Sequence, residues 1–312
     1  MRAQAPLPHD AQGRRAAAHY CSVTLGRQCR WQRRRGRRLR VSPPEFIQWP
    51  PCLEQGGSGA RIAVVVPFRQ QLPLQDRQAQ LQRFVLHMEA FLSSIPNCQA
   101  AIVVVEQSQD GKKFNRGQLL NVGFHLAREI LPRLTSFITH DVDLLPSGDM
   151  RPVYANPPPE GSAVHLAAVW SKYSDLGSPF IGGVLAFGPA DFERINGFPN
   201  NYWGWGLEDD QLGLRMARNH VRPLRVRVGS FEDLDPINMK GVLERGRREE
   251  VQQHLPWYNS EMFRQGGLSL DKDWSSNGLS NLSFETLESR NIGLVHHFVV
   301  QLGTAEVYVG RS

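Results

Sequence analysis

Two aspartates separated by one residue, Asp141 and Asp143, have the spacing of a metal-binding pair. They follow the apolar run 136–139, and residues two apart in an extended segment point the same way. Two carboxylates on one face offer the hard oxygen ligands that suit Mn²⁺ or Mg²⁺, and such a cation suits a nucleotide diphosphate. Solvated acids at a strand end would give the same pattern, so both interpretations stay open.

The segment Tyr202–Asp210 reads Tyr-Trp-Gly-Trp-Gly-Leu-Glu-Asp-Asp. Glycine beside tryptophan lets an indole swing as a lid, and an indole face suits the apolar face of a sugar. The three acids, Glu208, Asp209 and Asp210, repel one another, and burial would raise the pKa of at least one toward that of a general base. A helix N-terminus also favours acids, but it would not account for the two tryptophans.

Two shorter segments place an arginine beside an aromatic ring. Phe114-Asn-Arg116 opens a predicted helix, with Asn115 as its cap and an arginine in the first turn that could meet a phosphate or a base. Pro67-Phe-Arg69 ends an apolar run and offers a ring for a base. A capped amphipathic helix and an ordinary strand end explain these segments about as well.

The elements that must position these residues alternate along the chain. Short β-branched runs predict strands, and apolar residues at helical spacing predict helices. The predicted strands and helices occupy residues 62–67, 74–92, 101–105, 115–131 and 136–139, in β–α–β–α–β order. A Pro- and Gly-rich surface excursion is expected at 147–180, followed by a strand at 180–187, a helix at 209–219 and late strands at 282–287 and 293–300.

This alternation predicts a doubly wound α/β sheet, in which ligands lie beyond the carboxyl ends of the strands. Arg69, Glu106 and the pair Asp141 and Asp143 follow the first three predicted strands. Their convergence is a stronger signal of a functional site than any one of them.

Composition excludes several classes of protein. The chain has 312 residues, 41% hydrophobic and 21% charged, which is an ordinary globular balance rather than that of a disordered, collagen-like or coiled-coil chain. Four cysteines are too few for a disulfide scaffold. The longest apolar runs, such as Ile62–Val66 and Ala100–Val105, fall far short of the roughly 18 residues of a membrane span.

The net charge of +6 is unevenly distributed. Residues 1–40 hold eleven Arg and one acid, Asp10, whereas the other 272 residues hold 25 basic and 29 acidic side chains. The body therefore has no composition typical of a nucleic-acid groove. The run Arg30–Arg40 is compatible with a disordered leader, an anion-binding patch or a targeting segment. We predict a basic, Pro/Gly-rich tail and linker at 1–58 and a catalytic domain at 59–312.

Taken in order, these motifs resemble the β-1,4-galactosyltransferase family, glycosyltransferase family 7, over residues 61–304. The matching segments are Val66–Arg69, Phe114–Arg116, Leu120–Phe124, Asp141–Pro146, Gly182–Gly183, Asn196–Gly206, Glu208–Asp210 and Gly278–Phe284. The resemblance implies a GT-A fold with a doubly wound mixed sheet flanked by helices. It also implies inverting, metal-dependent transfer of galactose from UDP-galactose to the 4-hydroxyl of a GlcNAc-type or xylose-type acceptor, in the Golgi lumen.

The resemblance assigns roles to individual residues. The donor UDP-sugar would be bound by Pro67, Phe68, Arg69, Phe114, Arg116, Asp141, Val142, Gly183 and Trp205. The acceptor would be bound by Phe180, Trp205, Asp209 and Asp210. Asp143 would ligate Mn²⁺, with Mg²⁺ as the alternative. Asp209 would be the catalytic base, flanked by Glu208 and Asp210.

The sequence departs from the family where further metal ligands are expected. The family usually supplies one or two histidines there, whereas this chain has Glu232, Asp233 and Asp235. Asp233 and Asp235 could bind a hard cation, with Asp233 as the candidate ligand, and a solvated acidic loop is an equally good explanation. The pair His296-His297 is another source, but at most one of the two could face a metal, and core or surface roles are favoured for both.

Donor and acceptor also stay open. Phe180 takes the place of a family tyrosine beside the donor sugar, so UDP-galactose and UDP-GalNAc are both candidates. The segment 140–146 resembles the xylose-directed branch, and 197–202 resembles the GlcNAc-directed branches. Family members usually have an N-terminal membrane anchor, and none is visible in this sequence. A catalytically weak sugar-binding or scaffold homologue is the alternative to an enzyme.

Overall fold

The computed structural model describes residues 45–46, 59–72, 75–171, 181–204, 206–235 and 270–303. The strands are β1 (Glu45–Phe46), β2 (Ala60–Phe68), β3 (Cys98–Gln107), β4 (Ser136–His140), β5 (Leu144–Pro146), β6 (Ser162–His165), β7 (Val184–Phe187), β8 (Arg222–Arg225), β9 (Phe231–Asp233), β10 (Phe284–Ile292) and β11 (Val295–Leu302). The helices are α1 (Arg77–Ser93), α2 (Arg116–Ile130), α3 (Arg151–Ala155), α4 (Pro189–Arg194) and α5 (Glu208–Arg218).

Within the described residues, nine strands form one sheet in the order β1–β8–β6–β7–β4–β2–β3–β11–β10. Strand β2 pairs in parallel with both β3 and β4, so the carboxyl ends of these strands lie at one edge of the sheet. Strand β7 is antiparallel to β4 and β6, and β10 is antiparallel to β11. The predicted doubly wound mixed α/β sheet is therefore confirmed.

The sheet carries an apolar core on each face. Successive residues of β2 alternate between them: Val64 packs in one core with Phe84 of α1, and Val65 packs in the other with Leu120 of α2. This division follows from the two-residue period of a strand. It explains why the run 62–66 is apolar throughout, since both of its faces are covered.

Side-chain caps fix where the two long helices begin. Helix α1 begins at Arg77, slightly later than predicted, because the Asp76 carboxylate accepts a hydrogen bond from the Ala79 amide. Helix α2 begins at Arg116 because Asn115 accepts from the Gln118 amide in the same way. The predicted cap at Asn115 is confirmed.

The predicted surface excursion at 147–180 is wrong for most of its length. Tyr154 of α3 and Val164 of β6 are buried, and β6 lies inside the sheet between β7 and β8. The Pro- and Gly-rich composition limits the length of these elements, but tertiary packing still buries them. Residues 172–180, including Phe180, lie outside the described part of the chain.

The two late strands are confirmed, although their bounds differ from the prediction. Gly293, placed at the start of the second strand by the sequence, has φ +58° and lies in the turn between β10 and β11. No helix in the described ranges is long and apolar enough to cross a membrane. The division at residues 58 and 59 stays a prediction, as does the role of Arg30–Arg40, which lies outside those ranges.

Candidate active site

Three separate segments of the chain meet at the Arg116 guanidinium. Its Nε donates to Asp141 Oδ1 at 2.9 Å, and its Nη1 donates to Asp209 Oδ1 at 2.9 Å. Glu208 Oε1 lies 3.6 Å from the same Nη1. The first turn of α2, the end of β4 and the first turn of α5 thus form one cluster, which we call the Arg116 cluster.

The Arg116 cluster holds three carboxyl groups around one buried cation, and this shifts their pKa values. Burial by itself would lower the pKa of Arg116, but the surrounding carboxylates outweigh burial and raise it. Burial, reinforced by Asp209, raises the pKa of Glu208 to about 8, against the opposing effect of Arg116. Burial also raises the pKa of Asp141 to about 6. Glu208 therefore mostly holds a proton at neutral pH.

The position of the acidic triplet agrees both with a helix N-terminus and with a cluster of interacting charges. Glu208, Asp209 and Asp210 form the first turn of α5, where the helix dipole favours negative charge. At the same time, two of these side chains face Arg116. Asp210 is half-buried in the same turn. The helix N-terminus therefore places Glu208 and Asp209 beside Arg116, and the two interpretations are compatible.

A tight turn follows β4 and orients the Asp141–Asp143 pair. The Asp141 amide donates to the Gly183 carbonyl at 3.1 Å, and the Leu144 amide donates to the Asp141 carbonyl at 3.3 Å. Gly183 has φ +82°, a conformation that favours glycine, and a Cβ there would lie 3.1 Å from the Ala167 side chain. Gly183 therefore supports the motif through its backbone.

His140 stabilises the same turn from inside the core. Its Nδ1 lies 2.9 Å from the Asp141 carbonyl and its Nε2 lies 2.9 Å from the Tyr154 hydroxyl. A carbonyl only accepts, so Nδ1 carries the proton and Nε2 accepts from the tyrosine. Burial lowers the pKa of His140 to about 4, so the imidazole stays neutral.

Asp143, the predicted metal ligand, is engaged by an arginine that the sequence did not single out. Its Oδ2 accepts from Arg77 Nη1 at 2.8 Å, and the two side chains are 11% and 19% exposed, respectively. No motif marked Arg77, which is 66 residues away in sequence. The only available signal was its charge, so tertiary structure was needed to find this contact.

The acidic segment 232–235 lies beside Asp143. Strand β9 pairs with β5, and the Leu234 amide donates to the Asp143 carbonyl at 2.7 Å. Carboxylate oxygens from Asp143 and from Asp233 or Asp235 are donors that fit Mn²⁺ or Mg²⁺. Among the described residues, no group of three His, Cys, Asp or Glu side chains stands ready to hold a metal.

Arg69 and Phe114 contact one another beyond the ends of β2 and β3, and we call them the Arg69–Phe114 pair. The Arg69 guanidinium carbon lies 5.6 Å from the centre of the Phe114 ring, and its Nη1 donates to the Lys112 carbonyl at 2.8 Å. Burial lowers the pKa of Arg69, while Asp110 opposes that shift. The Gly204 amide donates to the Phe114 carbonyl at 2.8 Å, which joins the Trp-Gly segment to this pair.

The remaining predicted residues divide into two groups. Pro67, Phe68 and Val142 are buried, next in sequence to Arg69 and to Asp141. Trp205 and Phe180 lie outside the described residues.

The two late histidines occupy different environments. His297 Nε2 lies 2.8 Å from Glu106 Oε2, and its ring meets Phe68 edge-on, with 6.4 Å between the ring centres. His296 Nδ1 lies 3.2 Å from Asn291 Oδ1. These contacts account for both side chains without a metal.

Buried amide and guanidinium groups tie the late segment 270–282 to the segment 196–202. Arg215 Nη1 donates to the Asn196 carbonyl at 3.1 Å, and its Nη2 donates to the Asn277 carbonyl at 2.7 Å. The Tyr202 hydroxyl donates to the Asp271 carboxylate at 3.0 Å. These long-range contacts hold the chain that precedes the acidic triplet.

Comparison with known proteins agrees with this geometry. Residues 44–156 match the family model described as the N-terminal region of glycosyl transferase group 7, and residues 163–239 match the model described as the N-terminal domain of galactosyltransferase. Beta-1,4-galactosyltransferase 4 of Rattus norvegicus is 31% identical over 78% of this chain and 64% of its own length. Beta-1,4-galactosyltransferase 7 of Drosophila melanogaster is 31% identical over 78% of this chain and 69% of its own length. The chain thus spans slightly less than two thirds of the rat protein.

Solved structures agree as well. The catalytic domain of Drosophila β1,4-galactosyltransferase 7 in complex with xylobiose has a TM-score of 0.60 and 27% identity, and the match covers 78% of this chain and 95% of that one. A mutant of the same protein, in complex with manganese, UDP-Gal and xylobiose, has a TM-score of 0.60 and 26% identity over the same shares. The motifs, the fold and these matches together show that the chain belongs to the β-1,4-galactosyltransferase family, glycosyltransferase group 7.

Proposed function

We propose that the protein is an inverting, metal-dependent β-1,4-galactosyltransferase that moves galactose from UDP-galactose to the 4-hydroxyl of a GlcNAc-type or xylose-type acceptor. One observation carries this proposal: Arg116 joins Asp141 of the D-x-D motif to Asp209 of the acidic triplet. The candidate donor site and the candidate base therefore belong to one cluster, as transfer between two bound substrates requires.

The donor would be bound between the Arg116 cluster and the Arg69–Phe114 pair. The two guanidinium groups would bind the diphosphate, and the Phe114 ring would stack on the uracil base. Asp143, with Asp233 as candidate second ligand, would hold Mn²⁺, or Mg²⁺ in its place. When bound, this cation neutralises charge on the departing UDP.

Asp209 is the best candidate for the general base. It would accept the proton of the acceptor hydroxyl as the acceptor oxygen bonds to the anomeric carbon and the bond from that carbon to UDP breaks. This single displacement inverts the anomeric centre. Glu208 mostly carries a proton at neutral pH, because burial raises its pKa to about 8, so it is the poorer acceptor. Glu208 and Asp210 would instead position the acceptor.

Water must be kept from the donor, and the Trp-Gly segment would do this. Gly204 and Gly206 have φ values of +105° and +100°, which favour glycine on both sides of position 205. Such positions can absorb the backbone change of a closing loop. We assign Trp205 to this lid and to contact with both sugars, and Phe180 to the acceptor side.

Family membership also supports the cellular setting and the choice of substrates. The manganese, UDP-Gal and xylobiose of the Drosophila mutant's complex support a galactose donor and favour a xylose-type acceptor. We assign the protein to the Golgi lumen and residues 59–312 to the catalytic domain. The alternatives are a UDP-GalNAc transferase and a sugar-binding homologue without turnover.

The test is a matrix of UDP-galactose, UDP-GalNAc and UDP-glucose against GlcNAc and xylose glycosides, with Mn²⁺ or EDTA. We expect Mn²⁺-dependent transfer from UDP-galactose and a β-1,4 linkage in the product, measured by NMR. Transfer from UDP-GalNAc would support the first alternative. UDP binding without transfer to any acceptor would contradict the enzyme assignment and favour the second.

A further inference from the structure

The Asp143 carboxylate is already occupied by a cation from the protein itself. Arg77 Nη1 lies 2.8 Å from Asp143 Oδ2, with 19% of the arginine side chain and 11% of the aspartate side chain exposed. The pair is therefore largely shielded from solvent, where an ion pair is stronger than at the surface. A divalent cation that binds Asp143 must therefore compete with this guanidinium for the carboxylate.

Helix stability does not explain the position of Arg77. It is the first residue of α1, and the helix dipole disfavours a positive charge in the first turn. Its other contacts hold the guanidinium in place: Nε donates to Gln71 Oε1 at 3.3 Å, and Nη1 donates to Gln80 Oε1 at 2.9 Å. The side-chain oxygens of Gln71 and Gln80 thus help to orient Arg77 toward Asp143.

The start of α1 is also bound to the acidic segment that replaces the family's histidines. Gln80 Nε2 donates to the Leu234 carbonyl at 2.8 Å, and Gln75 Nε2 donates to an Asp235 carboxylate oxygen. The Leu234 amide in turn binds the Asp143 carbonyl. Arg77, Asp143 and the segment 232–235 therefore form one connected unit.

We propose that Arg77 is a resident counter-ion of the D-x-D motif. In the metal-free protein its guanidinium neutralises Asp143, and it gives up that carboxylate when a divalent cation binds. Arg77 is then a positioning residue that sets metal affinity and touches no reacting atom. This inference rests on the proposed function only in taking Asp143 as a metal ligand.

The direct test is Mn²⁺ binding to the whole 312-residue chain without nucleotide, measured from the electron paramagnetic resonance signal of free Mn²⁺. Removing a competing cation should tighten binding, so we expect Arg77→Gln to lower the Kd about tenfold, equivalent to about 1.4 kcal/mol. Arg77→Lys keeps the positive charge, so its Kd for Mn²⁺ should lie between those of wild type and Arg77→Gln. Arg83→Gln is the matched control: Arg83 is on the same helix and pairs with Glu232, but both side chains are more than half exposed. Its Kd should stay within about twofold of wild type.

Thermal melts give a second readout that does not depend on catalysis. In EDTA, Arg77→Gln should melt below wild type because Asp143 loses its partner. With saturating Mn²⁺ the difference should shrink, since the cation then pairs with Asp143 in both proteins. Asp143→Asn should be stabilised little by Mn²⁺, whether residue 77 is arginine or glutamine.

The outcomes separate this inference from the proposed function. If Arg77→Gln binds Mn²⁺ no more tightly than wild type, Arg77 is not a competitor, although Mn²⁺-dependent transfer by wild type would leave the enzyme assignment standing. If Arg77→Gln binds Mn²⁺ more weakly than wild type, the guanidinium and the metal share Asp143, and the inference is overturned as well. If neither protein binds Mn²⁺ better than Asp143→Asn does, both the inference and the metal site fail.

Discussion

Arg116 and Arg77 each bind one aspartate of the D-x-D motif, but their surroundings differ. Arg116 is shared by Asp141, Glu208 and Asp209, so the cluster has more negative than positive charge when all three acids are ionised. Arg77 has Asp143 as its carboxylate partner, with neutral glutamine acceptors around it. The Arg116 cluster therefore has fewer positive than negative groups, whereas the Arg77–Asp143 pair has one of each.

This difference determines how each site responds to a ligand. The excess of acids around Arg116 is relieved by keeping a proton, chiefly on Glu208, so we expect this site to respond to pH. The Arg77–Asp143 pair sets one cation against one carboxylate, so we expect it to exchange one cation for another. The four predictions below test this contrast, from the largest expected effect to the smallest.

Asp209→Asn should have the largest effect. The amide keeps the shape of the side chain but cannot accept a proton, so kcat should fall about 10²–10⁴-fold, as for loss of a positioned base. UDP affinity should change little, because Arg69, Arg116 and Asp143 remain. The measurement is kcat together with the Kd for UDP. An exposed aspartate, Asp149, supplies the control Asp149→Asn; if kcat of Asp209→Asn stays near that control while Glu208→Gln loses activity, the base is misassigned.

Arg116→Gln should destabilise the fold more than any other single change in the cluster. Removing the cation leaves buried carboxylates uncompensated, which typically costs about 3–5 kcal/mol. The loss in free energy of unfolding, measured with denaturant at pH 7, should shrink at pH 5, where Asp141, whose pKa burial raises to about 6, takes up a proton. Arg128 lies on the same helix, and its guanidinium sits over Phe124 as that of Arg116 sits over Phe198. Its pair with Glu193 is exposed, so Arg128→Gln should cost less than about 0.5 kcal/mol, and equal losses in the two variants would contradict the buried cluster.

Glu208→Gln should change how stability depends on pH. The folded-state pKa of Glu208 is raised from 4.5 to about 8, so its stabilising contribution is full below pH 4.5 and is lost as pH rises through 8. Glutamine resembles the protonated acid at every pH. The variant should therefore gain in Tm relative to wild type between pH 5 and pH 9. Glu193→Gln, which removes an exposed acid, is the control. A Tm difference from wild type that does not change with pH for Glu208→Gln would mean that the pKa of Glu208 is not raised.

Arg77→Gln in the metal-free protein should have the smallest effect of the four. It removes one largely shielded ion pair, and Asp143 keeps some access to solvent, so we expect a loss of about 1 kcal/mol in the free energy of unfolding. Arg83→Gln should cost less than half of that. The measurement is denaturant unfolding in EDTA. A loss as large as that of Arg116→Gln would remove the contrast between the two arginines.

Much of this site was predictable because its motifs are local. The cap at Asn115 and the strand ends at Arg69 and Asp141 follow from spacing and residue type, since strands and helices are periodic over a few residues. The resemblance to a family added roles that spacing cannot supply. The excursion predicted at 147–180 was wrong because proline and glycine mark the ends of elements but do not decide whether the residues between them are buried.

By itself, the sequence determined the β–α–β–α–β order of the elements up to β4, the two-sided burial of β2 and the identity of the acids that follow β4 and begin α5. Only the tertiary structure decided which charges meet. Arg116 reaches Asp209 across 93 residues and Arg77 reaches Asp143 across 66, and neither separation has any periodic signature. The strength of attraction between two charges depends on the distance between them. The packing of strands and helices sets that distance, and packing is a property of the whole fold.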